Sequence, residues 1–166
     1  MSSDRVIVVA VEDMATVGVV AAGAAQLAME QGASRLILLH VLDEHVLASG
    51  FSGFMGMPVP VVETEEEAAE ILGYAEEAVA AEYRARERPL PVIVRELGEG
   101  RAGPVIAQAA ADAQASAIVL GARRPHAFGR LTHPDVVAYL RKHTATPVHV
   151  VSLQAETSPS TDSPVQ

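Results

Sequence analysis

Arg5-Val-Ile-Val-Val-Ala-Val11 and Arg35-Leu-Ile-Leu-Leu-His-Val41 are two aliphatic runs without polar alternation. A strand with one wetted face alternates apolar and polar residues, so an unbroken run marks a strand covered on both faces, as in parallel sheets. Between the two runs, Thr16 to Gln31 sets Val17, Val20, Ala24, Leu27 and Ala28 at helical spacing, and Gly32 follows where a C-terminal cap belongs. Strand, helix and strand in this order form a βαβ unit, whose crossover is nearly always right-handed.

The same alternation continues outward. Thr64 with Glu67 forms a capping box, and Ala68, Ile71, Leu72, Ala75, Val79 and Tyr83 follow at helical spacing up to the Pro89-Leu90-Pro91 stop. Pro91 to Leu97, Ala117 to Leu120 and Pro147 to Leu153 read as further strands, with helices over Pro104 to Gln114 and Pro134 to His143. Five strands alternating with four helices predict an α/β fold: a doubly wound, Rossmann-like, five-stranded parallel sheet of order 3-2-1-4-5, with helices on both faces. Such sheets bind ligands beyond the carboxyl ends of their strands, where the strand order reverses. Here that point lies between the first and fourth strands, at Glu12 to Thr16 and from Gly121 onward.

Composition narrows the function. The 166 residues suit one domain, expected over residues 1–153, and the Ser, Thr and Pro-rich stretch 154–166 is expected to be a disordered tail. Apolar residues are 49% and aromatic residues 4%, which predicts a core of closely packed small aliphatic side chains. The longest uncharged aliphatic run, Val17 to Ala25, is about half the ~18 residues of a membrane span. The amino terminus lacks the pattern of an export signal, and the chain has no cysteine, which together suit a cytoplasmic protein. A net charge of −9 opposes a general electrostatic grip on nucleic acid or anionic lipid, so neither is an expected partner.

Several motifs invite chemistry. Gly98-Glu-Gly100-Arg-Ala-Gly103 matches the G-x-G-x-x-G dinucleotide fingerprint, with Arg123 and Arg124 about twenty residues on, where an NADP enzyme places its phosphate anchor. The strand before it falls at a sheet edge rather than at the switch point, so a plain glycine turn is the preferred reading. His126, His133 and His143 are too widely spaced for a ligand pair on one helix, and no metal is expected. His40 and His149 lie inside apolar runs and read as satisfied core or interface groups. No G-x-S-x-G elbow is present, and no catalytic residue is assigned. Glu63, Glu65, Glu66, Glu67 and Glu70 crowd the start of the second helix, favouring the positive end of its dipole. The loop from Glu44 to Val62 carries Phe51, Phe54, Met55 and Met57, which is either a cover over the sheet or a face for a protein partner.

The opening Val9-Ala-Val-Glu12, then Leu38-Leu-His-Val41, Gly100 before the third helix, Ile118-Val-Leu-Gly121 and the closing Thr146-Pro-Val strand occur in an order and spacing that resembles the universal stress protein family from Arg5 to Leu153. In the nucleotide-binding branch of that family a G-x2-G-x9-G-[ST] loop cradles ATP phosphates, and an Asp ending the first strand helps hold the nucleoside. Carried over, the resemblance implies a nucleotide site at Val11, Glu12, Val41, Gly121, Arg123, Arg124, Arg130, Pro134 and Asp135. The match is partial. Gly121 keeps the first glycine, but Arg124 takes the second, Pro134 the third and Asp135 the Ser/Thr place. Pro134 has no N–H to offer a phosphate, Arg124 does not readily take glycine conformations, and Asp135 sets negative charge against negative phosphate. Glu12 replaces the Asp with a longer carboxylate, and Met14 stands where a small polar residue is usual.

Arg123, Arg124 and Arg130, with Arg101 as a neighbour across the strand ends, offer a different phosphate grip through bidentate guanidinium bonds, or else pair with the chain's own carboxylates. The sequence therefore predicts a stress-response binding protein with a degenerate nucleotide site and no resident cofactor. The alternative is an ATP- and magnesium-binding switch or slow ATP hydrolase. The last strand lies at a sheet edge and needs a partner, and the resemblance also implies a homodimer through it, at Val148, His149, Val150 and Val151.

Overall fold

The structure is a computed structural model that describes residues 4–42, 63–123 and 136–153, with backbone alone for Ala122 and Arg123. The two runs that opened the sequence become neighbouring strands, β1 (Val6–Ala10) and β2 (Arg35–Leu42), paired in parallel with Val8 level with Ile37. The helix between them is α1 (Val17–Gln31). It ends as its glycine requires: Gly32 adopts φ +63°, and the Ala33 N–H closes back onto the Ala28 carbonyl at 2.9 Å.

The remaining elements are α2 (Glu65–Ala85), β3 (Val92–Glu99), α3 (Ala102–Asp112), β4 (Ala117–Arg123), α4 (Val136–His143) and β5 (Val148–Leu153). All four strand pairings are parallel, and the order is β3-β2-β1-β4-β5, as the sequence predicts. Among the boundaries that differ from the sequence reading, β4 runs on from Leu120 to Arg123. β3 runs on to Glu99, taking Gly98 into the strand, and α3 begins at Ala102, so Pro104 falls in its first turn, where a missing N–H costs nothing.

Two-residue alternation in the central strands feeds two aliphatic layers. Ile7, Val9, Leu36 and Leu38 face α1 and α2, while Val6, Val8, Ile37 and Leu39 face α3 and α4. Each such buried side chain contributes about 1.5–3 kcal/mol of burial. The capping box at the start of α2 forms in full: Glu67 N–H donates to Thr64 Oγ1 at 3.2 Å, and Thr64 N–H donates to Glu67 Oε2 at 2.9 Å. The Thr64 N–H foremost, and then the Thr64 hydroxyl donating to Glu67 Oε2 at 3.1 Å, hold the Glu67 carboxyl below the usual range. Near the other end of α2, Tyr83 is buried, and its hydroxyl has no hydrogen-bond partner among the described residues. Burial pushes this phenol up, with the charge of Arg88 partly offsetting it. Among the described residues no helix is long and apolar enough to cross a membrane.

Candidate functional site

The reversal of strand order falls between β1 and β4, whose register pairs Ala10 with Leu120. One step further along both strands brings Val11 level with Gly121, so two predicted site residues meet at the carboxyl end of the sheet. Val11 is buried, and its N–H donates to the Leu39 carbonyl at 3.0 Å, extending the β1–β2 ladder by one rung. Glu12, the next residue, is exposed at the mouth of this crevice.

The turn into α1 is held by a residue the sequence reading passed over. Asp13 Oδ1 accepts from both the N–H and the hydroxyl of Thr16 at 2.9 Å, and its carbonyl accepts the Val17 N–H at 3.0 Å. The signal was present as Asp-x-x-Thr ahead of the helix, the spacing of a local cap. Val41 lies on β2 opposite Gly98 of β3, on the face turned toward α3. It sits beside the crevice rather than in it.

Gly121 has a structural duty. A Cβ there would stand 2.8 Å from Val20 Cγ2 and 3.1 Å from Leu153 Cδ1, so the missing side chain lets α1 and β5 close over β4. The glycines of the dinucleotide-like motif are likewise spoken for. A Cβ on Gly98 would meet Val105 at 2.4 Å, Gly100 has φ +113° and ties its N–H to the Leu42 carbonyl at 3.1 Å, and a Cβ on Gly103 would enter the Tyr139 ring at 2.7 Å. The motif packs α3 against β3 and α4 and turns the chain between them, at an edge strand, which supports the plain-turn reading.

Arg123 is the last residue of β4, paired with Leu153. Arg101 opens α3 beside the end of β3, with β2 and β1 lying between that strand and β4. Arg124, Arg130, Pro134 and Asp135, along with the Phe51–Met57 loop and residues 154–166, lie outside the described residues. Among the described residues no group of three His, Asp or Glu side chains is placed to hold a metal ion.

His40 is a buried polar group beside the crevice, 2% exposed on the α2 face of β2. Its Nδ1 lies 2.9 Å from the Val11 carbonyl, and its Nε2 lies 3.0 Å from Glu63 Oε2. The second contact is at ion-pair distance but off the axis of a well-formed hydrogen bond. The sequence reading of His40 as a satisfied core group holds at Nδ1. Its link to Glu63, 23 positions along the chain, has no sequence signal.

A doubly wound parallel sheet with a crevice at its switch point defines the class: a Rossmann-like α/β domain, with Val11, Glu12 and Gly121 at the carboxyl ends of β1 and β4. The universal stress protein family model matches residues 5–152, and the chain belongs to that family. Among solved structures, a universal stress protein from Archaeoglobus fulgidus is 23% identical, covers 89% of this chain and 98% of its own, and superposes with a TM-score of 0.61. A universal stress protein in complex with cAMP is 17% identical over 91% of this chain and 98% of its own, TM-score 0.61. The Archaeoglobus fulgidus protein in complex with dAMP is 19% identical over 91% and 98%, TM-score 0.58. No curated protein matches the chain in sequence.

Proposed function

We propose that the chain acts as a cytoplasmic stress-response regulator by binding rather than turnover, as a homodimer joined through β5, with a nucleotide site altered at its phosphate end. The observation that carries the dimer is the β5 edge. Ile118 N–H donates to the Pro147 carbonyl, so alternation along the ladder turns the backbone groups of His149 and Val151 toward β4 and those of Val148, Val150 and Ser152 outward. These outward groups lie on a strand that carries no Asp, Glu, Lys or Arg, and Val148 to Val151 are only half-buried. A second copy of the same strand satisfies both the backbone and the exposed valines.

The test is sedimentation equilibrium of the wild-type chain and of Val150→Pro. The substitution removes an outward N–H while leaving the β4 ladder intact. Two symmetry-related bonds lost at ~0.5–1.5 kcal/mol each weaken the dimer by roughly 5- to 150-fold, with the circular dichroism spectrum unchanged. A wild-type monomer at all concentrations refutes the dimer.

The nucleotide-switch reading is favoured by one observation, the meeting of Val11, Glu12 and Gly121 at the switch point of a fold whose solved neighbours include complexes with cAMP and dAMP. In that reading ATP and magnesium occupy the crevice and Arg123, Arg124 and Arg130 replace the glycine cradle. Calorimetric titration of the nucleotide-stripped protein with ATP and magnesium decides between the two. Saturable heat that is lost in Arg124→Ala establishes the switch, and no heat at millimolar ATP leaves the nucleotide-independent regulator. The Phe51–Met57 loop remains the proposed face for a protein partner.

A further inference from the structure

His40 is a buried titratable group that neither reading of the site uses, and its two contacts make incompatible demands on a neutral ring. The Val11 carbonyl can only accept a hydrogen bond, so the Nδ1 at 2.9 Å from it carries a proton. A neutral imidazole then has a bare lone pair at Nε2. That lone pair would face Glu63 Oε2 at 3.0 Å, and an ionised carboxylate is also acceptor-only. Two acceptors at that distance repel, in a place where the ring is 2% exposed and the carboxylate 31%. The contact becomes attractive only when a further proton is present, on the ring or on the carboxyl.

We propose that His40 and Glu63 share one proton, and that the protonated pair is a pH-dependent latch that ties the exit of β1 to the start of α2. Its two ends are well placed for this. Val11 immediately precedes Glu12 in the crevice, and Glu63 immediately precedes Thr64, the N-cap of α2. With the proton bound, the imidazolium bridges a carbonyl and a carboxylate. When it leaves, Nε2 and Oε2 become mutually repulsive, Glu63 swings out to water, and the first turn of α2 loses its tether to β1. The sign follows from which form makes the contact: the latch holds at low pH and opens as pH rises.

The charged groups around the ring are mostly acidic. Among the described residues, the β1 exit contributes Glu12 and Asp13, the latter bonded to Thr16, and the α2 start contributes Glu63 and Glu67, the latter held in the capping box. β3 places Leu97 opposite His40, with Arg95, engaged by Glu76, and Glu99 two residues to either side on the same face. Negative groups therefore predominate on two of the three flanking elements. The consequence for ligand binding, a change in the presentation of Glu12, rests on the crevice being the nucleotide site, whereas the latch itself does not.

The experiment is long-range 1H–15N NMR of the His40 ring in the ligand-free chain, from about pH 5 to about pH 9, with amide hydrogen exchange at Thr64 to Glu67 followed in parallel. The expected result is a doubly protonated ring at the acid end. As Nε2 loses its proton, exchange at the α2 start accelerates several-fold beyond the intrinsic pH effect. Glu63→Gln is the decisive variant, because its amide donates to a neutral Nε2: the contact is kept and the pH-dependent acceleration disappears. Glu63→Ala exchanges fast throughout. A ring that is neutral already at the acid end, or α2 exchange with the same pH profile in wild type and Glu63→Gln, overturns the latch. Calorimetry with AMP at the two pH extremes is read separately. Absence of binding there counts against the nucleotide reading alone, since the NMR result needs no ligand.

Discussion

Among the described residues, β3 and β5 each leave one row of backbone N–H and C=O groups unpaired at an edge of the sheet, yet the two rows are dressed differently. In β3, Val92 N–H donates to the Ser34 carbonyl at 2.9 Å, so the outward backbone groups are those of Ile93, Arg95 and Leu97, and Arg95, Glu96 and Glu99 put charge along the strand. Arg95 is further engaged by Glu76 of α2. In β5 the residues from Val148 to Leu153 carry only a histidine among ionisable groups. Charge on an edge blocks the approach of another strand, and its absence permits it. The difference is the ground for proposing association through β5 rather than through β3.

The helices behind the two edges differ in the same sense. α1 closes on β5 through Gly23, where a Cβ would stand 2.8 Å from Val151 Cγ2, while α2 passes β3 at Gly73, where a Cβ would meet nothing nearer than Arg95 Nη1 at 3.7 Å. Gly23→Ala is therefore expected to destabilise the fold, the overpacking cost of ~1–3 kcal/mol exceeding the helix gain of under ~1 kcal/mol. By pushing Val151 outward it also weakens any β5 pairing. Gly73→Ala is expected to stabilise by about 0.5–1 kcal/mol, since the helix gain comes without a clash. Thermal unfolding of the two variants side by side tests the contrast, and a Gly23→Ala variant as stable as Gly73→Ala would show that α1 does not seat closely against β5.

How much of this was legible in the sequence depends on the range of the interaction concerned. Unbroken aliphatic runs gave the strands, and period-3.6 spacing gave α2 so closely that its six expected core residues are the six that are buried. Topology then placed Val11, Glu12 and Gly121 together without any side-chain information. The duties of Gly23, Gly98, Gly103 and Gly121 were not readable, because each is set by a side chain brought in by the tertiary fold, such as Val151, Val105, Tyr139 or Val20. The same holds for His40 and Glu63, which meet only once β2 and the α2 start are docked. Arg101 opens α3 beside β3, because the helix must start where its own strand ends, while Arg124 and Arg130 lie outside the described residues.

The charge on β3 can be removed directly. Arg95→Val with Glu96→Thr leaves Glu99, at the end of the strand, as its last charge and gives the rest of that edge the uncharged, β-branched character of β5. The Arg95–Glu76 pair lies at the surface, with side chains 49% and 37% exposed, so its loss changes monomer stability by less than about 1 kcal/mol. The expected effect is on association: the double variant forms species larger than the wild type in light scattering, growing with concentration, because both edges are now open. A variant no larger than wild type would mean that geometry rather than charge protects β3.

The smallest expected effect concerns the start of α2, the helix that supplies Glu76 to the β3 edge. Glu67 is held below the usual carboxylate range chiefly by the Thr64 backbone N–H and then by its hydroxyl, so folding favours its ionised form. The stability this contributes is present above the unfolded carboxylate range and is lost as pH falls through the lowered folded value. Glu67→Gln keeps an acceptor for the Thr64 N–H but does not titrate. The wild type is therefore expected to lose α2 protection in acid more steeply than Glu67→Gln, with the two converging near neutrality, as read by amide exchange at Ala68 to Leu72. Parallel acid profiles would place the acid loss of α2 protection elsewhere than at the Glu67 carboxyl.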